Sequence, residues 1–175
     1  LAAGSAPAPL RLVLRAADFP AGTELTARAM PAYATSALGV RGLKAASYTA
    51  STPARTSGGE REWYLQGNVY VAPDQSSARR LFQLGQSTQI GLSSDVTGTP
   101  VPITLRAFGD EQIAFWTKAT TGRGINVSLF VRKGSVIWQL TAAPIATGYR
   151  SVPRAPVVAQ LQRYAAKQRA RVGAG

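Results

Sequence analysis

The sequence predicts an α+β fold: one domain, an antiparallel sheet with two amphipathic helices packed on one face. Three patterns carry that expectation. Residues 112–143 hold three segments in which apolar side chains recur at every second position, separated by short turns containing glycine. That is the period of a strand, and hairpin-joined strands form an antiparallel sheet. Residues 75–89 and 156–171 instead repeat their apolar side chains at spacings of three and four, the stripe of a helix that must bury one side. The order of these elements, strands before each helix, favours helices laid on a sheet over a parallel βαβ array.

Taken in order, residues 1–9 are a small, Ala- and Pro-rich lead, and residues 10–175 form the expected single α+β domain. Leu10, Leu12 and Leu14 alternate with Arg11, Val13 and Arg15 as a first strand, and Asp18–Gly22 turns the chain. Residues 23–40 show no clear period, 43–49 read as a second strand, and the Ser/Thr/Pro/Gly-rich 51–59 reads as a loop. Trp63, Leu65, Val69 and Val71 alternate with Tyr64, Gln66, Asn68 and Tyr70 in a long strand, where Gly67 marks a bulge or a close approach. Pro73 ends that strand, and Asp74 is placed to cap the following helix with its carboxylate. Ala78, Leu81, Phe82 and Gly85 form that helix's buried stripe.

Residues 90–102 read as loop, and the three-strand meander follows. Ile113, Phe115 and Thr117 alternate in its first strand, Thr121–Gly124 turns, and Ile125, Val127, Leu129 and Val131 alternate in its second. Lys133-Gly134 reads as a two-residue turn into Val136, Trp138, Leu140 and Ala142. Pro156 suits the first turn of the last helix, whose stripe is Val157, Val158, Leu161, Tyr164 and Ala165.

Composition excludes more chemistry than it names. The chain of 175 residues has no Cys and no His, so it lacks a thiol nucleophile, a disulfide framework, the commonest general base and the preferred ligands of zinc and copper. Its eight carboxylates are scattered. The one adjacent pair, Asp110-Glu111, opens a strand, where neighbouring side chains point opposite ways and cannot flank one bond. Thr121-Gly122-Arg123-Gly124 joins two strands and leads into no helix N-terminus, so it is no phosphate loop. The expectation is a non-enzymatic chain without cofactor or metal. No apolar run approaches the ~20 residues of a membrane span.

The charge is lopsided: 20 Lys and Arg against 8 Asp and Glu, a formal +12, with Arg at sixteen of the twenty cationic positions. Such a field attracts an anionic polymer, a membrane surface or an acidic protein partner. A genome-wide bias toward Arg produces the same composition. Nucleic acid is the lesser candidate, because the cations are scattered, with doublets only at Arg79-Arg80 and Arg132-Lys133.

Phe108-Gly109-Asp110-Glu111 ahead of an alternating strand, then Val131–Val136 and a closing amphipathic helix, resemble exported bacterial domains. Such domains occur among lipoproteins and sensor-like extracellular domains of high-GC Gram-positive and related bacteria. The opening Leu12-Val13-Leu14 with Asp18–Gly22 is similar to the way they begin. The resemblance implies a secreted or cell-surface location and a binding or accessory role, and it carries no catalytic residue. The chain departs from disulfide-bearing members in having no Cys, and any lipid anchor would sit upstream of Leu1. The start at Leu1 and the small residues after it also fit a chain whose signal peptide has been removed.

Two candidate binding surfaces follow. If both helices cover the face carrying Trp63, Leu65, Val127, Leu129 and Trp138, the other face displays Tyr64, Tyr70, Trp116, Phe130 and Arg132 among Gln66, Asn68, Asn126, Ser128 and Gln139. Rings among polar groups make a stacking and hydrogen-bonding platform for a ligand. Equally, those rings can be a second small core. The outer stripe of the last helix, Arg163, Lys167 and Arg171, is the candidate anion site.

Overall fold

The computed structural model describes residues 8–52, 63–88, 96–119, 125–144 and 153–174. Two short helical turns open the chain, helix α1 (Pro9–Leu12) and a single 3₁₀ turn at Ala16–Asp18. Strand β1 (Glu24–Ala29), helix α2 (Ala32–Ser36), and strands β2 (Lys44–Thr52) and β3 (Trp63–Val71) lead to helix α3 (Gln75–Thr88). Strands β4 (Val96–Pro102), β5 (Glu111–Ala119), β6 (Ile125–Lys133) and β7 (Val136–Pro144) lead to helix α4 (Arg154–Gly173).

The strands form one antiparallel sheet in the order β1-β2-β3-β7-β6-β5-β4. Each half of the chain is a meander, and the pairing of β3 with β7 joins them. Because successive side chains alternate across a strand, the registers sort the residues into two faces. On one, Val69, Val131 and Trp138 lie with Val157, Leu161 and Tyr164 of α4 in the larger core. On the other, Tyr70, Phe130 and Ile137 lie with Ala78, Leu81 and Phe82 of α3. The α+β expectation of two helices on one face is thereby corrected. The fold is dominated by a seven-stranded sheet with α4 on one side and α3 on the other. The physical reason is that β6 and β7 are buried on both sides along nearly their whole length, so each side needs its own cover.

The packing of α3 depends on two small details. Asp74 Oδ1 accepts from the Ser77 N–H at 2.7 Å, capping the helix. Gly85 leaves room for the Phe130 ring, which stacks on Phe82 at 5.2 Å between centroids. Other expectations change. Leu10–Arg15 is no strand: Pro9 starts the α1 turn, and Leu12, Val13 and Leu14 are all buried against the α4 side. The expected loop at 90–102 contains β4, an edge strand with a register shift between Thr97 and Val101 and with Pro100 and Pro102, which an edge tolerates. The β6–β7 turn falls on Gly134-Ser135, with Gly134 at φ 59°. Most of the N-terminal lead, most of the 51–59 loop and the Thr121–Gly124 turn lie outside the described residues.

Candidate functional site

The structure separates the expected aromatic platform. Tyr70 and Phe130 are buried beneath α3, and burial pushes the Tyr70 phenol's ionisation up. Trp116 stands opposite Val127, so it faces α4, where the Arg154 guanidinium lies 5.8 Å from its ring centroid. Tyr64 remains half-buried on the α3 side. Arg132 is held in place: its Nε donates to Glu111 Oε2, and its Nη1 donates to Asp110 Oδ2 at 3.2 Å and to the Gly134 carbonyl at 3.1 Å. Its side chain is 6% exposed against 50% for Asp110 and 36% for Glu111. The adjacent carboxylates therefore serve one buried cation and the β6–β7 turn, whose Gly134 N–H also donates to Asp110 Oδ2.

The α4 stripe is likewise divided. Arg171 makes two contacts with Asp18 Oδ2, at 2.8 and 3.1 Å, and Lys167 donates to the Asp18 carbonyl. These cations fasten the 3₁₀ turn to the last helix, while Arg163 is exposed. Beneath them, Gln168 is buried, accepting from the Tyr48 hydroxyl at 3.0 Å and donating to the Leu12 carbonyl at 2.6 Å. Burial first, and the charge of Asp18 second, hold the Tyr48 phenol well above its ordinary ionisation range.

What the α3 side does bring together is mostly polar and uncharged. Past the part of the sheet that α3 covers, Thr26, Thr49, Gln66, Thr141, Ser128, Phe115 and Pro102 stand opposite one another across all seven strands. The neighbouring row runs Arg28, Ser47, Asn68, Gln139, Phe130 and Ile113. The first row is hydroxyl and amide from β1 to β6, the second begins at Arg28 and is hydroxyl and amide from β2 to β7, and both become apolar toward β5. Asn68 Nδ2 donates to Gln139 Oε1 at 3.3 Å, and the Ser128 and Thr141 hydroxyls lie 2.9 Å apart. Asn68, Gln139, Ser128, Asn126 and Thr117 are buried, and Thr117, 1% exposed, has a hydroxyl without a hydrogen-bond partner.

Such groups are costly to bury where Val or Ile would fill the space, unless they have partners. A pocket of about 260 Å³ bordered by Thr26, Arg28, Ser47, Thr49 and Gln66 opens at the polar end. One of about 480 Å³ opens at the apolar end. Alternation in the sequence shows Gln66, Asn68, Asn126, Ser128 and Gln139 as polar positions. Thr26, Ser47, Thr49, Thr117 and Thr141 join them only through the strand register.

Among the described residues, no three acidic side chains come close enough to hold a metal ion, and no helix is long and apolar enough to cross a membrane.

No protein-family model and no curated sequence matches the chain. The structure is similar to the crystal structure of the extracellular domain of PknH from Mycobacterium tuberculosis. The likeness has a TM-score of 0.55 at 13% identity, and covers 97% of this chain and 98% of that one. What the chain shares with that extracellular domain, end to end, is its fold.

Proposed function

We propose that residues 10–175 form one exported, non-catalytic binding domain that holds a small, uncharged, hydrogen-bonding ligand against the polar rows on the α3 side of the sheet. The observation that carries this reading is the pair of side-chain contacts, Asn68–Gln139 and Ser128–Thr141, set in the middle of buried strands where packing alone calls for apolar residues. Hydroxyls and amides both donate and accept, so such a floor matches a ligand rich in the same groups. The charged residues of these two rows are confined to β1, at Arg28, among the described residues. The fold likeness to an extracellular domain supports the exported location and the binding role.

An anionic polymer is the competing partner, and the +12 charge supports it. The two readings separate in a thermal-shift screen of the whole chain against neutral sugars, polyols and amino sugars, run beside heparin. A ligand at 100 times its Kd adds about 2.7 kcal/mol, which raises Tm by roughly 5–10 °C at about 2–4 °C per kcal/mol for a chain of this size. A neutral compound should give that rise, insensitive to salt and lost in an Asn68→Leu/Gln139→Leu variant. If only heparin raises Tm, with an effect that fades with salt and with Arg163→Gln, the polar rows are not the site.

A further inference from the structure

We infer that the ligand is an uncharged amphiphile: a hydroxyl-rich head over the polar rows and one alkyl tail in the pocket at the β4–β5 edge. This rests on the placing of the ligand on the α3 side, and adds its chemical class. The pocket measures about 480 Å³ and is walled by Pro102, Ile103, Leu105, Ile113 and Phe115. A volume of that size lies in the range of small-molecule sites. Among the described residues, no charged side chain lines it, in a chain with twenty cationic positions. Its one internal amide, Gln112, is already engaged: Oε1 accepts from the Phe108 N–H at 2.8 Å, and Nε2 donates to the Arg106 and Leu105 carbonyls at 3.0 and 3.3 Å. Only the exposed Gln86 and Thr104 offer other side-chain polar groups. Among the described lining residues, a charged group has no oppositely charged partner.

The pocket is also joined to the polar rows. Phe115 forms its wall and, in the sheet register, stands directly opposite Ser128, whose hydroxyl meets Thr141. Strands lie roughly 4.8 Å apart, so the change from apolar wall to hydroxyl pair happens within one strand spacing. Ile103, Leu105 and Ile113 are half-buried, and all three line the pocket. A purely polar ligand would leave that wall wet, and a purely apolar one would strip water from the half-buried Gln66 and Thr141 with nothing in exchange. A molecule with one end of each kind satisfies both.

The test is calorimetric titration of the whole chain with β-D-glucopyranosides carrying hexyl and octyl chains, below their micelle concentrations, beside glucose and 1-octanol. Each methylene entering the pocket should tighten binding about fourfold, so octyl should exceed hexyl by about fifteenfold. Thr104→Trp, an exposed position that fills the pocket, should abolish that chain-length dependence without lowering Tm. Ser128→Val/Thr141→Val should remove the advantage of octyl glucoside over 1-octanol. Glucose binding as well as octyl glucoside, in a manner lost with Asn68→Leu/Gln139→Leu, would overturn the amphiphile and leave the polar-face reading standing. Equal binding of octanol and octyl glucoside would overturn both. Chain-length dependence that survives Thr104→Trp, or no binding of either glucoside, would overturn the tail site.

Discussion

Gly67 shows how closely the larger core is fitted. A Cβ at this position would lie 2.2 Å from two ring carbons of Tyr48, on the neighbouring strand. The ring cannot withdraw cheaply, because its hydroxyl is tied through Gln168 to the Leu12 carbonyl. Gly67→Ala should therefore destabilise the protein by about 1–3 kcal/mol, the usual effect of overpacking. The change should read as a lower denaturant midpoint with unchanged slope; an unmoved midpoint would mean that Tyr48 does not occupy that space. The sequence flags Gly67 by its place inside a strand pattern. It leaves open whether the glycine serves a bulge or a close approach, and the unbroken register of β3 with both neighbours decides for close approach. Trp116 shows the opposite case. Its alternation within β5 is plain, but which face it joins depends on its pairing with Val127, a fact of register that alternation in one strand does not contain.

Helix α3 is the element whose start the sequence shows best. A carboxylate just before a periodic run of apolar residues reads as a cap, and Asp74 is one. The Ser77 backbone N–H, with its hydroxyl adding to it, holds the Asp74 carboxyl below its ordinary value of 3.8. The folded state thus prefers the ionised form. The cap's contribution is complete above the unfolded value and is lost as pH falls through the lower folded one. Asp74→Asn keeps an acceptor for the helix N-terminus but has nothing to titrate. Stability measured across pH 5 to 2 should accordingly fall less in this variant than in the parent, and equal slopes would remove Asp74 from acid sensitivity. Elements at the margins are less legible. Leu10–Arg15 alternates like a strand, yet Pro9 fixes a helical first turn and Leu12, Val13 and Leu14 are all buried, so tertiary burial overrides the local period. Strand β4 is missed because Val96–Pro102 is rich in Thr, Gly and Pro, residues that signal loop, and only its pairing with β5 makes it a strand.

At the scale of the whole molecule, the misjudged face and the missed site have one cause. The chain has one sheet and two covers, and of the rings that read as an open platform Tyr70 and Phe130 are the floor beneath α3 while Trp116 faces α4. The polar side chains beside them are visible in the sequence, but their burial, which makes them unusual, comes from the assembled sheet. That assembly also sets where the molecule is most resistant to opening. Strands β3, β7 and β6 lie inside the sheet and are buried along most of their length. Their amides should exchange with solvent only on global unfolding, whereas those of β1 and β4, at the two edges, should exchange through local opening. Hydrogen exchange showing β1 as slow as β7 would contradict this ranking. The joining of β3 to β7 has a kinetic consequence as well. Within each half, strands pair with sequence neighbours, but even the nearest pair of the central seam, Val71 and Val136, is separated by α3, β4, β5 and β6. Closing so long a loop is slow relative to forming hairpins. A ribosome releasing this chain therefore finishes most of it before the middle of the sheet has both its partners.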